Sequence, residues 1–222
     1  MARVPDLIEF CNVHGLKMIT VAELIRYRMR TEQHVTRKGR TALRTGLGEF
    51  STFIYSSDLG GESHLALVYG EVHTAEKPLL VRVHAHCLAG DVFHTSLCDC
   101  AGNLHASLHR IAEEGAGAVI YLRPDSSGLA AGNGAGIHKL QCRCEEETAS
   151  LEDQRRMQRE AAISAQILRD LNIRSVRLLT DHSLRDAELA SYGIRVVEHV
   201  PLSSAETFTF DALEKEVLVP AN

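Results

Sequence analysis

The stretch LLVRVHAHCLAGDVFHTSLCDCAGNLHASLHRIAEEGAGAVIYL, residues 79–122, decides the fold. It begins with an apolar strand over residues 79–84 and ends with a second strand over residues 118–122. Between them Leu104, Leu108 and Ile111 recur at the spacing of one helix face, which predicts a helix. Two further strands are predicted before this stretch and helix–strand alternation after it, which favours an α+β (α/β) domain with a mixed β-sheet packed against helices.

Three clustered cysteines lie in the same stretch, in the pattern Cys87-x10-Cys98-Asp99-Cys100. Thiolates suit zinc, and a tetrahedral ion held by three protein groups keeps a fourth position for water. The pattern therefore predicts a zinc site at the three cysteines. Packing is the alternative, because free cysteine often serves as a small buried apolar residue. Asp99 lies between two predicted ligands and is a candidate to orient them by hydrogen bonding.

Composition and charge exclude several classes of protein. The chain has 222 residues, 45% of them hydrophobic, which is ordinary for a globular protein. The net charge is −5, whereas a general nucleic-acid binder is usually basic, so we expect no nucleic-acid partner. No apolar run approaches the roughly 18 residues that span a bilayer, and no signal-peptide pattern is present. We expect a cytoplasmic location, no membrane partner and reduced cysteines.

The N-terminal residues read as a separate piece. Pro5 and Gly15 are typical of the first turn and the end of a helix, and a second helix is predicted over residues 22–29, after a short strand over residues 16–20. Residues 37–47 are polar and lack a hydrophobic period, so they are interpreted as a linker. From residue 48 the pattern changes to strands, and strands over residues 50–55 and 65–71 flank a turn-rich hairpin loop. A long helix is predicted over residues 151–171, and its inward face is expected to carry Ile163, Ile167, Leu168 and Leu171.

Residues 80–93, followed by Cys98-Asp99-Cys100, resemble GTP cyclohydrolase II. The resemblance continues at residues 120–123, 164–168 and 175–180 and again at 192–202, so it covers residues 46–202. Residues 1–36 resemble the C-terminal end of 3,4-dihydroxy-2-butanone 4-phosphate synthase, the domain that precedes the cyclohydrolase in bifunctional riboflavin enzymes. The implied division is a synthase remnant over 1–36, a linker over 37–47, a zinc domain over 48–205 and a tail over 206–222.

The resemblance also implies an activity. Family members open the guanine imidazole ring of GTP and release formate and pyrophosphate in riboflavin biosynthesis, with zinc as the cofactor that activates water. It implies GTP as the partner, with magnesium as a companion of the nucleotide, and a homodimer. Synthase activity is not predicted, because the catalytic residues of that domain would lie upstream.

Individual residues carry over position by position. The metal ligands Cys87, Cys98 and Cys100 match the family in full. Arg159 matches an arginine thought to attack the α-phosphate, and His138 stands where the family has a proton-transferring tyrosine; both are expected to be catalytic. The residues expected to bind substrate are Arg82, Arg123, Asp125, Thr180 and Arg185. Without the resemblance, Arg82 and Arg159 would be read as ordinary surface charges.

Several positions depart from the family. Asp125 and Ser127 replace a glutamate and an arginine, Met157 replaces an aspartate two positions before Arg159, and His86 and Leu97 replace a glutamate and an arginine beside the cysteines. Charge-assisted hydrogen bonds contribute about 1.5–3 kcal/mol each, so two lost cations would weaken triphosphate binding roughly a hundredfold or more. Two alternatives therefore stand beside the cyclohydrolase. One is a catalytically degenerate domain that supports or regulates a fused synthase, and the other is a zinc hydrolase acting on a different nucleotide.

Overall fold

The computed structural model describes residues 3–59, 61–72, 77–96, 98–123, 151–181 and 189–202, without the side chains of residues 151–154. The chain divides into two compact units, Met1–Gln33 and His34–Asn222. The tail predicted over residues 206–222 lies outside the described residues. Among the described residues, none of the helices has the length and apolar character needed to cross a bilayer.

The first unit contains helix α1 (Val4–His14) and helix α2 (Val21–Thr31). Gly15 ends α1 in the left-handed conformation at φ 65°, which its missing Cβ permits. Thr20 caps α2: its hydroxyl accepts from the Glu23 N–H at 3.1 Å, and the Glu23 carboxylate accepts from the Thr20 N–H at 2.8 Å. Both predicted helices are confirmed. The strand predicted over residues 16–20 is wrong, because this segment pairs with no described strand.

The second unit is built on a seven-stranded sheet in the order β1-β2-β3-β5-β4-β6-β7. The first four strands in that order pair antiparallel, and β5, β4, β6 and β7 pair parallel. This arrangement confirms the mixed sheet of an α+β domain. The strands are β1 (Val35–Thr45), β2 (Gly48–Ser57), β3 (Ser63–Tyr69), β4 (Leu79–Ala85), β5 (Gly117–Leu122), β6 (Ser175–Leu179) and β7 (Arg195–Val200).

Strand β1 corrects the linker predicted over residues 37–47. It pairs with β2 from Val35 opposite Ser57 to Thr45 opposite Gly48. Nearly all of its side chains are exposed, so the strand shows no alternation of buried and exposed positions. Hydrophobic periodicity reports burial and not hydrogen bonding, and a polar edge strand therefore reads as a loop.

Helix α3 (Cys100–Glu114) and helix α4 (Leu151–Asp170) accompany the sheet, and a π-helical turn spans Leu88–Val92. Ile111 of α3 is fully buried in a cluster with Phe50, Leu80 and Val119 of the sheet. The C-terminal half of α4 buries Ile163, Ile167 and Leu168. Leu171, which follows the helix, is also buried. The faces predicted for these two helices are confirmed. Residues 79–122 thus run from a central strand through the cysteines and α3 to the neighbouring parallel strand.

Candidate functional site

Three buried cysteine thiols converge where β4 ends and α3 begins. Cys87 opens the π-helical turn after β4, Cys100 is the first residue of α3, and Cys98 lies just before it. The three Sγ atoms lie within 4.8 Å of one another, and those of Cys87 and Cys98 are 3.8 Å apart. Thiolates bound at about 2.3 Å to a tetrahedral zinc ion would be about 3.8 Å apart. Residues 11 positions apart are therefore brought to a spacing that fits one tetrahedral ion.

Gly90 lies directly against this cluster. Its N–H donates to the Cys87 Sγ at 3.3 Å. A Cβ at position 90 would lie 2.7 Å from the Cβ of Cys100 and 2.8 Å from the Sγ of Cys98. Only glycine fits here without displacing a cysteine, so the backbone of the turn forms one wall of the candidate metal centre.

Asp91 forms a buried network behind Cys87. Its Oδ2 atom accepts from the Cys87 N–H at 2.9 Å and from the Tyr121 hydroxyl at 2.8 Å, and its Oδ1 atom lies 3.0 Å from Nε2 of His84. Burial by itself raises the pKa of this carboxyl, but the hydrogen bond and charge of His84, together with the other donors, outweigh it and leave the pKa below its usual value. Asp91 is therefore held as a carboxylate.

The sequence position of Asp99 between two cysteines suggested that it orients them by hydrogen bonding, but the structure shows no such contact among the described residues. It precedes α3 with an exposed side chain that makes no capping hydrogen bond. Asp91 was not singled out from the sequence. The available signal was its place four residues after Cys87 within a short, largely apolar turn, where an acidic residue needs a local partner.

His86, which replaces a family glutamate, lies at the edge of the same network. Its Nδ1 atom is 2.6 Å from the Tyr121 hydroxyl, and the side chain is half-buried. Burial is the main cause that lowers the pKa of His86, opposed by the nearby Asp91 carboxylate. The imidazole therefore favours its neutral form, which can donate or accept a hydrogen bond beside the cysteines.

A separate cavity brings together two of the predicted substrate residues. Arg82 of β4 and Thr180, which follows β6, both line it. Arg82 donates from Nη1 to the Leu179 carbonyl at 2.9 Å, which fixes the guanidinium at the cavity wall. Met157 and Glu160 of α4 line the other side. The remaining lining residues are apolar: Val83, Ala161, Leu178, Leu179 and Leu189.

Arg159 does not line this cavity. Met157, Glu160 and Ala161 share one face of α4, and Arg159 projects about 200° around the helix from Met157 at ~100° per residue. Its Nη2 atom donates to the carboxylate of Glu62 and to the Leu59 carbonyl, both at 2.9 Å. The structure therefore separates Arg159 from the pair formed by Arg82 and Thr180.

A buried histidine connects Arg159 with Arg123. The Nδ1 atom of His64 accepts from the Arg123 N–H at 3.2 Å, and its Nε2 atom lies 3.6 Å from the Glu62 carboxylate. Burial, together with the positive charges of Arg159 and Arg123, lowers the pKa of His64 to about 4. The Arg123 side chain itself is exposed at the end of β5. Asp125, His138 and Arg185 lie outside the described residues.

The chain is similar to known proteins over most of its length. The family model for GTP cyclohydrolase II matches residues 36–201. The riboflavin biosynthesis protein RibBA of Bacillus subtilis (strain 168) is 42% identical over 208 residues, which cover 91% of this chain and 51% of that protein. RibBA of Bacillus cereus (strain ATCC 14579) is 44% identical over 207 residues, with the same coverage. The chain spans about half the length of the curated relatives it matches.

The chain is also similar to solved structures, among them RibBX, a two-domain 3,4-dihydroxy-2-butanone 4-phosphate synthase from A. baumannii. The two are 29% identical with a TM-score of 0.58, and the match covers 90% of this chain and 50% of that one. The fold is therefore shared with a protein named as a synthase.

Proposed function

Because the chain belongs to the GTP cyclohydrolase II family, we propose that it is a zinc-dependent hydrolase that opens the guanine imidazole ring of GTP. Formate and pyrophosphate would be the products released, as a step of riboflavin biosynthesis. The observation that carries the proposal is the convergence of the buried thiols of Cys87, Cys98 and Cys100 within 4.8 Å. Zinc bound there would supply a Lewis acid and lower the pKa of water.

The other residues have proposed roles in holding GTP. Arg82 carries a fixed positive charge into the cavity, where it can contact a phosphate, and the hydroxyl of Thr180 lies in the same cavity. Arg123, Asp125 and Arg185 are proposed to contact substrate, and His138 to transfer a proton. Arg159 is proposed as the arginine at the α-phosphate, which would require its guanidinium to leave Glu62. Magnesium is proposed to accompany the triphosphate.

The test is turnover by the complete chain. Protein loaded with zinc is incubated with GTP and magnesium, and formate and pyrophosphate are assayed separately. We expect both products in equal amounts, and neither from a Cys98→Ser protein treated in the same way. A folded chain that holds zinc but releases no formate would contradict the proposed reaction.

A second candidate function is a catalytically degenerate domain that supports or regulates a fused synthase. Two observations favour it. The apolar side chain of Met157 lines the cavity at a family aspartate position, and Arg159 is held on the opposite face of α4. Calorimetry with GTP distinguishes the candidates, because binding without turnover supports a sensor and no binding supports a scaffold. A Met157→Asp variant that gains turnover would show that this substitution limits the reaction.

A zinc hydrolase for another nucleotide is the remaining alternative. Among the described residues, the largely apolar lining of the cavity offers few polar partners for GTP. Purine and pyrimidine nucleoside triphosphates can be screened in the pyrophosphate assay, with the Cys98→Ser protein as the control. Turnover of a different nucleotide and not of GTP would favour this alternative.

We also propose that residues 1–36 are the end of a synthase-like domain, that the zinc domain predicted over residues 48–205 begins instead with β1, and that the protein is a homodimer. The separate compact unit up to Gln33 supports the first part. Helix α1 buries none of its residues, and Phe10, Val13 and Ile19 are more than half exposed. Fusing the synthase domain of a relative upstream should slow proteolysis of α1, and light scattering measures the oligomeric state.

A further inference from the structure

Asp91 has no part in the roles proposed above, although its carboxylate is buried beside the cysteine cluster. We propose that Asp91 is a positioning residue for the metal ligand Cys87, acting through hydrogen bonds and not as a ligand itself. This inference rests on the proposed function to the extent that the cysteines hold a metal ion. Asp91 thus has the role that the sequence suggested for Asp99, which is to orient a metal ligand by hydrogen bonding.

Reciprocal hydrogen bonds join Asp91 to Cys87. The Cys87 N–H donates to Oδ2 of Asp91 at 2.9 Å, and the Asp91 N–H donates to the Cys87 carbonyl at 2.7 Å. The two bonds close the turn at both ends, and within it the Gly90 N–H donates to the Cys87 Sγ. The carboxylate therefore fixes the backbone from which the Cys87 thiol projects.

The sheet in turn fixes Asp91. His84 lies on β4 and Tyr121 on β5, and both contact the carboxylate from these paired parallel strands. The side chains of Asp91 and His84 are each 3% exposed, so water does not compete for these bonds. Residues of two central strands thereby set the position of a turn that lies beyond the end of the sheet.

The same contacts distinguish a positioning role from direct coordination. Both carboxylate oxygens are already occupied by donors: Oδ2 by Cys87 and Tyr121, and Oδ1 by His84. Asparagine at this position would keep the size of the side chain but replace one acceptor oxygen with an NH₂ group that faces these donors. The Asp91→Asn substitution should therefore loosen the turn without removing any cysteine.

Metal affinity and ligand geometry test the proposal in the complete chain. The dissociation constant for zinc is measured by competition with a chromophoric chelator, and the cobalt(II) form is examined for its thiolate charge-transfer absorption. Loss of a partner that orients metal ligands typically weakens affinity 10–100-fold, and we expect an effect of about this size in Asp91→Asn. The cobalt band should shift or weaken, which a uniform loss of stability would not cause.

Asp99→Asn is the matched control, because it makes the same change at an exposed carboxylate between two of the cysteines. We expect its zinc affinity to stay within about twofold of the parent, as for a surface substitution. Equal weakening by both substitutions, or unchanged affinity and spectrum in a folded Asp91→Asn protein, would overturn the proposal.

A Tyr121→Phe variant keeps the proposal testable if Asp91→Asn does not fold. It removes one donor to Oδ2 and leaves the carboxylate in place. We expect a several-fold loss of zinc affinity, of the order of one hydrogen bond, and unchanged affinity would overturn the inference. A parent chain that binds no zinc would contradict the proposed function as well, whereas zinc binding that ignores Asp91 contradicts this inference alone.

Discussion

The cysteine cluster and the cavity beside α4 are built in different ways. The cluster forms within 14 residues of chain, where the Gly90 N–H and the Asp91 carboxylate fix Cys87. The cavity is assembled from β4, α4 and the end of β6, and its wall is largely apolar around Arg82. The proposed metal half of the site is thus held by local hydrogen bonds, whereas the proposed nucleotide half has few polar groups among the described residues. Changes in the two regions should therefore affect different measurements.

The largest expected effect is loss of the metal. Cys98→Ser should reduce bound zinc from about one equivalent per chain to a small fraction, because zinc binds two thiolates much more weakly than three. Zinc is measured by elemental analysis after gel filtration. Cys11→Ser, a cysteine of α1 outside the cluster, should leave the zinc content unchanged. Equal losses of zinc from both variants would contradict the assignment of zinc to the cysteine cluster.

Gly90→Ala should have the next largest effect. The added methyl group lies 2.7–2.8 Å from atoms of Cys100 and Cys98, and overpacking of this kind costs about 1–3 kcal/mol. We expect zinc affinity to fall roughly tenfold or more, measured by chelator competition. Gly102→Ala on α3 is the control, since a Cβ there meets no atom within 4 Å. Zinc binding as tight as in the parent would show that the turn is not rigid.

Arg82→Ala acts on the other half of the site. If the cavity holds phosphate, removing this cation should weaken GTP binding about tenfold to a hundredfold, as for a charge-assisted hydrogen bond. Calorimetry gives the GTP affinity, and zinc content should not change. Arg174→Ala removes a charge of the same sign from an exposed position and should have little effect. A loss of zinc in the Arg82→Ala protein would mean that the two halves are coupled.

The smallest expected effect concerns pH and His64. Its pKa falls from 6.5 to about 4 on folding, so between these values the unfolded chain binds a proton that the folded chain does not. The contribution of His64 to the free energy of unfolding is therefore fully present above pH 6.5. It decreases as the pH falls toward 4, by about 1–2 kcal/mol after allowance for solvent screening. Urea unfolding of the parent and of a His64→Gln variant at several pH values measures the difference. Parallel pH profiles would contradict the effect.

Local spacing explains which features could be predicted from the sequence. The cysteine motif, the hairpin of β2 and β3, and the buried face of α4 all depend on residues close in the chain. Strand β1 was missed because an exposed edge strand has no hydrophobic period. The partner of Arg159 was missed for another reason: Glu62 lies 97 residues away, and no local pattern identifies such a pair.

Strand β1 has a consequence for solubility. It is 11 residues long and lies at the end of the sheet order, and an edge strand is a place where another strand can pair. Lys38 and Arg40 add positive charge to that edge, and the ladder shifts register between Arg37 and Gly39. Like charges repel a second copy of the strand, and the irregular ladder spoils its fit. The polar side chains of β1, which keep the strand from being predicted from the sequence, thus protect the folded protein from edge-to-edge aggregation.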